Sequence, residues 1–119
     1  MLFDTLRTIV DQTPGASGAI LMGFDGIAVM QAKANGYDKT DIESLAMEFS
    51  FRFIELRKAA RSLDMGDISD ITIKASGGTV LCRVLNEEYF VAVVMHASGY
   101  FGKGRYLLRV KADELLAEL

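Results

Sequence analysis

The chain has 119 residues, half of them apolar and about a quarter charged, with a formal net charge of −3. This length suits one domain (1–119) whose core buries about two-thirds of the unfolded surface, and the acidic balance argues against nucleic acid or an anionic membrane as the main partner. A single cysteine, Cys82, excludes an internal disulfide, and no residues have metal-ligand spacing.

Leu2, Phe3, Leu6, Ile9 and Val10 recur at helical steps with Asp4 in the first turn, which predicts a short helix ended by Pro14-Gly15. Residues 1–12 carry Asp4 and no cationic leader, so no signal peptide is expected. Residues 16–22 and 27–32 form two apolar runs around Asp25-Gly26, a strong hairpin signal because Gly supplies the positive φ the turn needs. Asn35-Gly36 makes the next break.

A long helix is expected over 40–63, opened by a capping box between Thr40 and Glu43. Ile42, Leu45, Ala46, Phe49, Phe53, Leu56, Ala60 and Leu63 lie on one stripe, which predicts a core-facing side. Met47, Phe51 and Ile54 lie about 150° round the same helix, and one core cannot bury both sets. A helix apolar on two sides in so short a chain predicts cover by a second copy. Asp41, Glu43 and Glu48 precede Arg52, Arg57, Lys58 and Arg61, the order the helix dipole favours; a solvated face and a functional basic patch both fit these cations.

Three strands follow as a meander, over 68–74, 79–85 and 89–96, the last apolar on both faces and so central in the sheet. The longest apolar run, 89–95, is far short of the ~20 residues of a membrane helix. Gly99, Gly102 and Gly104 precede a final helix expected over 105–119, but no phosphate-binding glycine motif can be written there. His96 and Cys82 have no neighbour in sequence that would make a nucleophile and base, and both are read as structural. No catalytic residue, cofactor site or metal site is expected, and the chain is not read as an enzyme.

The element order, Thr13-Pro14-Gly15-Ala16-Ser17-Gly18-Ala19-Ile20-Leu21 followed by Asp25-Gly26, and Gly102-Lys103-Gly104-Arg105 leading into an apolar helix resemble the roadblock/dynein light-chain family over the whole chain. Its prokaryotic members are the most similar. The resemblance implies an α+β, profilin-like fold: a five-stranded antiparallel sheet between one long helix on one face and the terminal helices on the other. It also implies dimers in which the long helices pack together and the third strands join edge to edge. The expected homodimer interface is then Met47, Phe51, Ile54 and Lys58 of the helix with Asp70, Thr72 and Lys74 of the strand.

The resemblance further implies a non-catalytic regulator that binds a small Ras-like GTPase, stimulating or localising it; the contact is expected at Arg52, Arg57, Lys58 and Arg61, and the lone cysteine with the lack of a leader or membrane-length apolar run makes the cytoplasm the expected location. A dimeric scaffold linking other proteins is the alternative, and a small-molecule sensor a third. Neither nucleic-acid binding nor membrane insertion is expected.

Overall fold

Eight elements follow one another: α1 (Leu2–Asp11), β1 (Ala16–Gly23), β2 (Ala28–Lys33), α2 (Ile42–Ser62), β3 (Asp70–Ala75), β4 (Gly78–Val84), β5 (Tyr89–Met95) and α3 (Phe101–Ala117). The structure, a computed structural model, describes residues 1–34 and 39–119, so the break expected at Asn35-Gly36 lies outside the described residues. The strands form one antiparallel sheet in the order β2-β1-β5-β4-β3. Strand β5 sits at the centre, as its two apolar faces require.

Side-chain alternation divides the sheet into two layers. Ala19, Leu21, Leu81, Val91 and Val93 point to one face, where α1 and α3 cover them with Leu6, Ile9, Leu108 and Leu115. Ile20, Met22, Cys82, Phe90 and Ala92 point to the other, under Ile42, Ala46 and Phe53 of α2. Phe53 meets Phe90 edge-on at 5.4 Å, and Phe90 lies 5.0 Å from Phe24. Such pairs add about 0.5–1.5 kcal/mol each beyond simple burial, so this aromatic chain seats α2 on the sheet.

Two helix starts differ from expectation. Asp41, not Thr40, caps α2: its carboxylate accepts from the Ser44 N–H at 3.1 Å and the Ser44 hydroxyl at 2.8 Å. These bonds, the N–H first, hold the Asp41 carboxyl below its usual range. Helix α3 starts at Phe101 and takes in Gly102 and Gly104, which its sequence had marked as a break. Gly104 is there for packing. A Cβ on it would stand 2.7 Å from Leu81 Cδ1, so its absence lets α3 lie close on β4.

The two sheet edges are unlike. In β2, Leu21 faces Met30 and Met22 faces Ala28, leaving Val29 as an unpaired bulge residue. Strand β3 pairs with β4 residue for residue from Asp70 to Ala75 without a bulge. A bulge twists an edge away from further pairing, so β3 is the edge able to take another strand.

Candidate functional site

Helix α2 is not covered along the whole stripe expected to be core. Ile42, Ala46, Phe53 and Ala60 are buried, whereas Leu45 and Phe49 are half-buried and Leu56 and Leu63 are 45% and 70% exposed. At 100° per residue these four leucine and phenylalanine positions form one flank of the stripe. Leu45 and Phe49 border a cleft whose other wall includes Ile73, Val80 and Val94 of the sheet. Ile71 and Ile73, which point to the α2 face, are also half-buried. One continuous strip of incompletely covered apolar side chains therefore runs from α2 to the open edge at β3.

The second apolar set lies on the opposite flank. Met47 is 40% and Phe51 52% exposed, and both stand over the β1–β2 turn, with Met47 Cγ 3.3 Å and Phe51 Cζ 3.6 Å from a Cβ built on Gly26. Phe51 and Ile54 also line a shallow cleft beside Asp25, Glu87 and Glu88. The expected interface of Met47, Phe51, Ile54 and Lys58 with Asp70, Thr72 and Lys74 is thus not one patch on a protomer. On the α2 face β3 presents Ile71 and Ile73, and Ile73 shares its cleft with Leu45 and Phe49. Helical periodicity had assigned Leu45 and Phe49 wholly to the core. The width of that stripe, reaching about 80° from Phe53, was the available signal.

The four cations expected to meet a partner all have carboxylates within the chain. Arg52 pairs with Glu48 at 3.3 Å and Lys58 with Glu55 at 3.8 Å, pairs exposed enough to contribute about 0–1 kcal/mol each. Arg61 bonds Asp67 and Glu87, both at 2.8 Å, and these contacts raise its pKa. The Arg57 guanidinium lies 4.2 Å over the Phe24 ring and 3.3 Å from Glu87. Arg57 therefore fastens the end of α2 to the β4–β5 turn, while Arg52 and Lys58 project into solvent.

Asp70, Thr72 and Lys74 alternate with Ile71 and Ile73, so their side chains lie on the α3 face. Only their backbone shares the open edge with the isoleucines. Cys82 is buried under α2, and burial pushes its thiol up, away from the reactive thiolate. His96 Nε2 stands 3.4 Å from Ser17 Oγ, to which the Thr40 hydroxyl also points at 3.4 Å. A register shift in β1 between Ala16 and Gly18 brings Ser17 there, a proximity that sequence separation concealed. These spacings are long for hydrogen bonds between such groups.

No protein-family model matches the chain, and no curated protein matches it significantly. Among solved structures, MglC from Myxococcus xanthus is 35% identical, with both chains covered in full and a TM-score of 0.73. A Roadblock/LC7 domain from Streptomyces avermitilis aligns over 98% of this chain and 96% of its own, with a TM-score of 0.84. The chain belongs to the roadblock/LC7 family. Myxococcus xanthus MglB superposes with a TM-score of 0.83 over 98% of this chain and 93% of its own. The Streptomyces domain and MglB are only 14% and 13% identical to it, so they speak for the roadblock fold alone. Sequence similarity thus points toward MglC, while backbone superposition favours the other two. The five-stranded sheet between α2 and the α1–α3 layer is the architecture the resemblance implied.

Proposed function

We propose that this roadblock chain is a homodimeric, non-catalytic regulator that binds a small Ras-like GTPase. The observation that supports it best is the presence of two separate apolar flanks on α2. The flank of Leu45, Phe49 and Leu56 continues into Ile71, Ile73 and the unbulged β3 edge, and it suits a second copy. Antiparallel β3–β3 pairing about a two-fold axis would extend the sheet and let each α2 shield the other's half-covered side. The flank of Met47, Phe51 and Ile54 would stay open in such a dimer, with Lys58 on the same side of the helix, and it is the surface offered to a different protein. The partner class comes from the family resemblance.

The test combines sedimentation with titration of the cognate GTPase in its GTP-like and GDP states. Phe49→Glu should dissociate the dimer. Phe51→Glu or Lys58→Ala should leave it intact and weaken GTPase binding. Arg57→Ala should act less selectively, because it also removes the stacking contact with Phe24. A wild-type chain that stays monomeric at micromolar concentration would sink the dimer.

The second reading, a scaffold with no GTPase regulation, is favoured by the ion pairs that already engage Arg52, Arg57, Lys58 and Arg61. Equal affinity for both nucleotide states would leave that reading in place.

A further inference from the structure

The sheet face opposite α2 holds a cleft that neither the core nor the α2 surface uses. Helix α3 packs over β4 and β5 and reaches β3 beyond them through the Asp70–Arg105 and Lys74–Phe101 contacts, leaving a space of about 220 Å³ between strand and helix. Strand register decides what lines it. Asp70 stands opposite Arg83, and Thr72 stands opposite Leu81, whose side chain belongs to the α3 core. From the helix come Arg105 and Arg109, one turn apart, with Tyr106 between them.

Two guanidiniums therefore flank a single carboxylate, and a third, that of Arg109, lines the same cleft. Asp70 stands 3.7 Å from Arg83 Nη1 and 3.5 Å from Arg105 Nη2, both longer than the ~2.7–2.9 Å of a closed charge-assisted bond. Arg109 makes no ion pair with a described residue; its guanidinium carbon lies 5.6 Å from the Tyr106 ring centroid. In a chain of net charge −3 this is a local surplus of positive charge with donor capacity unspent. Guanidinium forks select carboxylates and phosphates. Here they are spread over two elements with Asp70 between two of them and no glycine-rich loop around them, which suits separate carboxylates better than one compact dianion.

We propose that this cleft binds an acidic segment of a partner protein, lying along β3 beside Tyr106 with its carboxylates on Arg83, Arg105 and Arg109. The surface is independent of the α2 flanks. If β3 pairs with a second copy, Asp70 and Thr72 still face the cleft, and two clefts come to lie side by side across the two-fold axis.

The probe is a fluorescein-labelled peptide of alternating glutamate and serine, with a glutamine-for-glutamate counterpart, titrated into the full chain by fluorescence anisotropy. The glutamate peptide should bind, its affinity should fall as salt rises, and the glutamine peptide should bind at least about tenfold more weakly. Arg105→Gln with Arg109→Gln, both on the solvent side of α3, should cost about tenfold or more with circular dichroism and sedimentation unchanged. Arg83→Gln is a second variant from the strand side, and Arg7→Gln on α1 should change nothing. Absent binding, equal binding of the two peptides, or equal affinity of the wild type and the Arg105/Arg109 double variant would overturn the proposal. So would tighter binding of inorganic phosphate or of phosphatidylglycerol vesicles than of the peptide.

Discussion

Replacing Gly15 with alanine tests whether the two chain crossings at the end of the sheet are as close as the structure has them. Gly15 has φ +88°, and a Cβ built on it would stand 2.5 Å from Gly99 Cα and 3.3 Å from Gly99 N, both backbone atoms with no rotamer to yield. The two loops are also tied together: the His96 N–H donates to the Gly15 carbonyl at 2.9 Å and the Tyr100 N–H to the Pro14 carbonyl at 3.2 Å. A left-handed backbone costs a residue with a Cβ ~1–2 kcal/mol, and overpacking costs ~1–3 kcal/mol. The stiffer unfolded chain returns ~0.4–1 kcal/mol. The net loss is about 2–4 kcal/mol, which at about 4 °C per kcal/mol lowers the melting temperature by roughly 8–16 °C. Gly102→Ala is the internal comparison. It lies inside α3 with no atom within 4 Å of its Cβ position, so helix propensity alone should raise stability by about 0.5–1 kcal/mol. Thermal melts followed by circular dichroism, at one protein concentration for all variants, read both values. A Gly15→Ala protein that melts at or above wild type would refute the reasoning.

Three other substitutions probe separate features. Phe49→Glu places a charge on the flank of α2 nearest β3, and sedimentation should show a shift toward monomer with the far-ultraviolet spectrum kept; unchanged association would remove that flank from the proposed interface. Asp41→Ala should lower the melting temperature, and Thr40→Ala should do so less, because Asp41 supplies the cap. Since its hydrogen bonds depress the Asp41 carboxyl in the folded state, its stabilisation is fully present above the ordinary carboxylate pKa near ~4 and is lost as pH falls through the depressed value. The gap between wild type and Asp41→Ala should therefore narrow in acid, and a gap that widens there would contradict this sign. Cys82→Ala should cost on the order of 1 kcal/mol and leave partner binding intact, and the native thiol should resist alkylation until the chain unfolds; rapid native labelling would be inconsistent with its burial.

What could be read in the sequence was what local pattern dictates. The eight elements, their order and the central place of β5 follow from periodicity, turn residues and the doubly apolar run 89–95. Where two local solutions competed, pattern alone could not choose. Thr40 and Asp41 are adjacent capping residues; Asp41 takes the helix while Thr40 turns toward Ser17, a residue 23 positions away. Gly102 and Gly104 look like breakers because glycine weakens isolated helices, yet contact with Leu81 favours a bare Cα at Gly104. The cleft arginines were out of reach for a different reason. Arg83 and Arg109 are 26 residues apart and meet only because β4 lies under α3.

The contrast between the sheet edges bears on how far self-association can go. An open, regular strand edge is a template for any chain, and proteins blunt such edges with bulges, charges or cover. Strand β2 carries its bulge at Val29, whereas β3 carries neither bulge nor proline over its six residues; each strand has a lysine at or next to its end, so the bulge is the difference. With one edge blunted and one open, β3 can pair only with β3, and a self-complementary contact about a two-fold axis closes after two copies. Were β2 equally regular, β2–β3 pairing could repeat head to tail and build filaments. The proposed dimer should therefore show no strand-driven growth beyond two chains as concentration rises. Deleting Val29, which restores one-to-one register opposite Leu21 and Met22, should open a second edge, and concentration-dependent elongation of that variant is the expected result. Sedimentation velocity distinguishes the outcomes: a Val29-deleted chain that stays folded and sediments like wild type at every concentration would show that the bulge is not what protects β2.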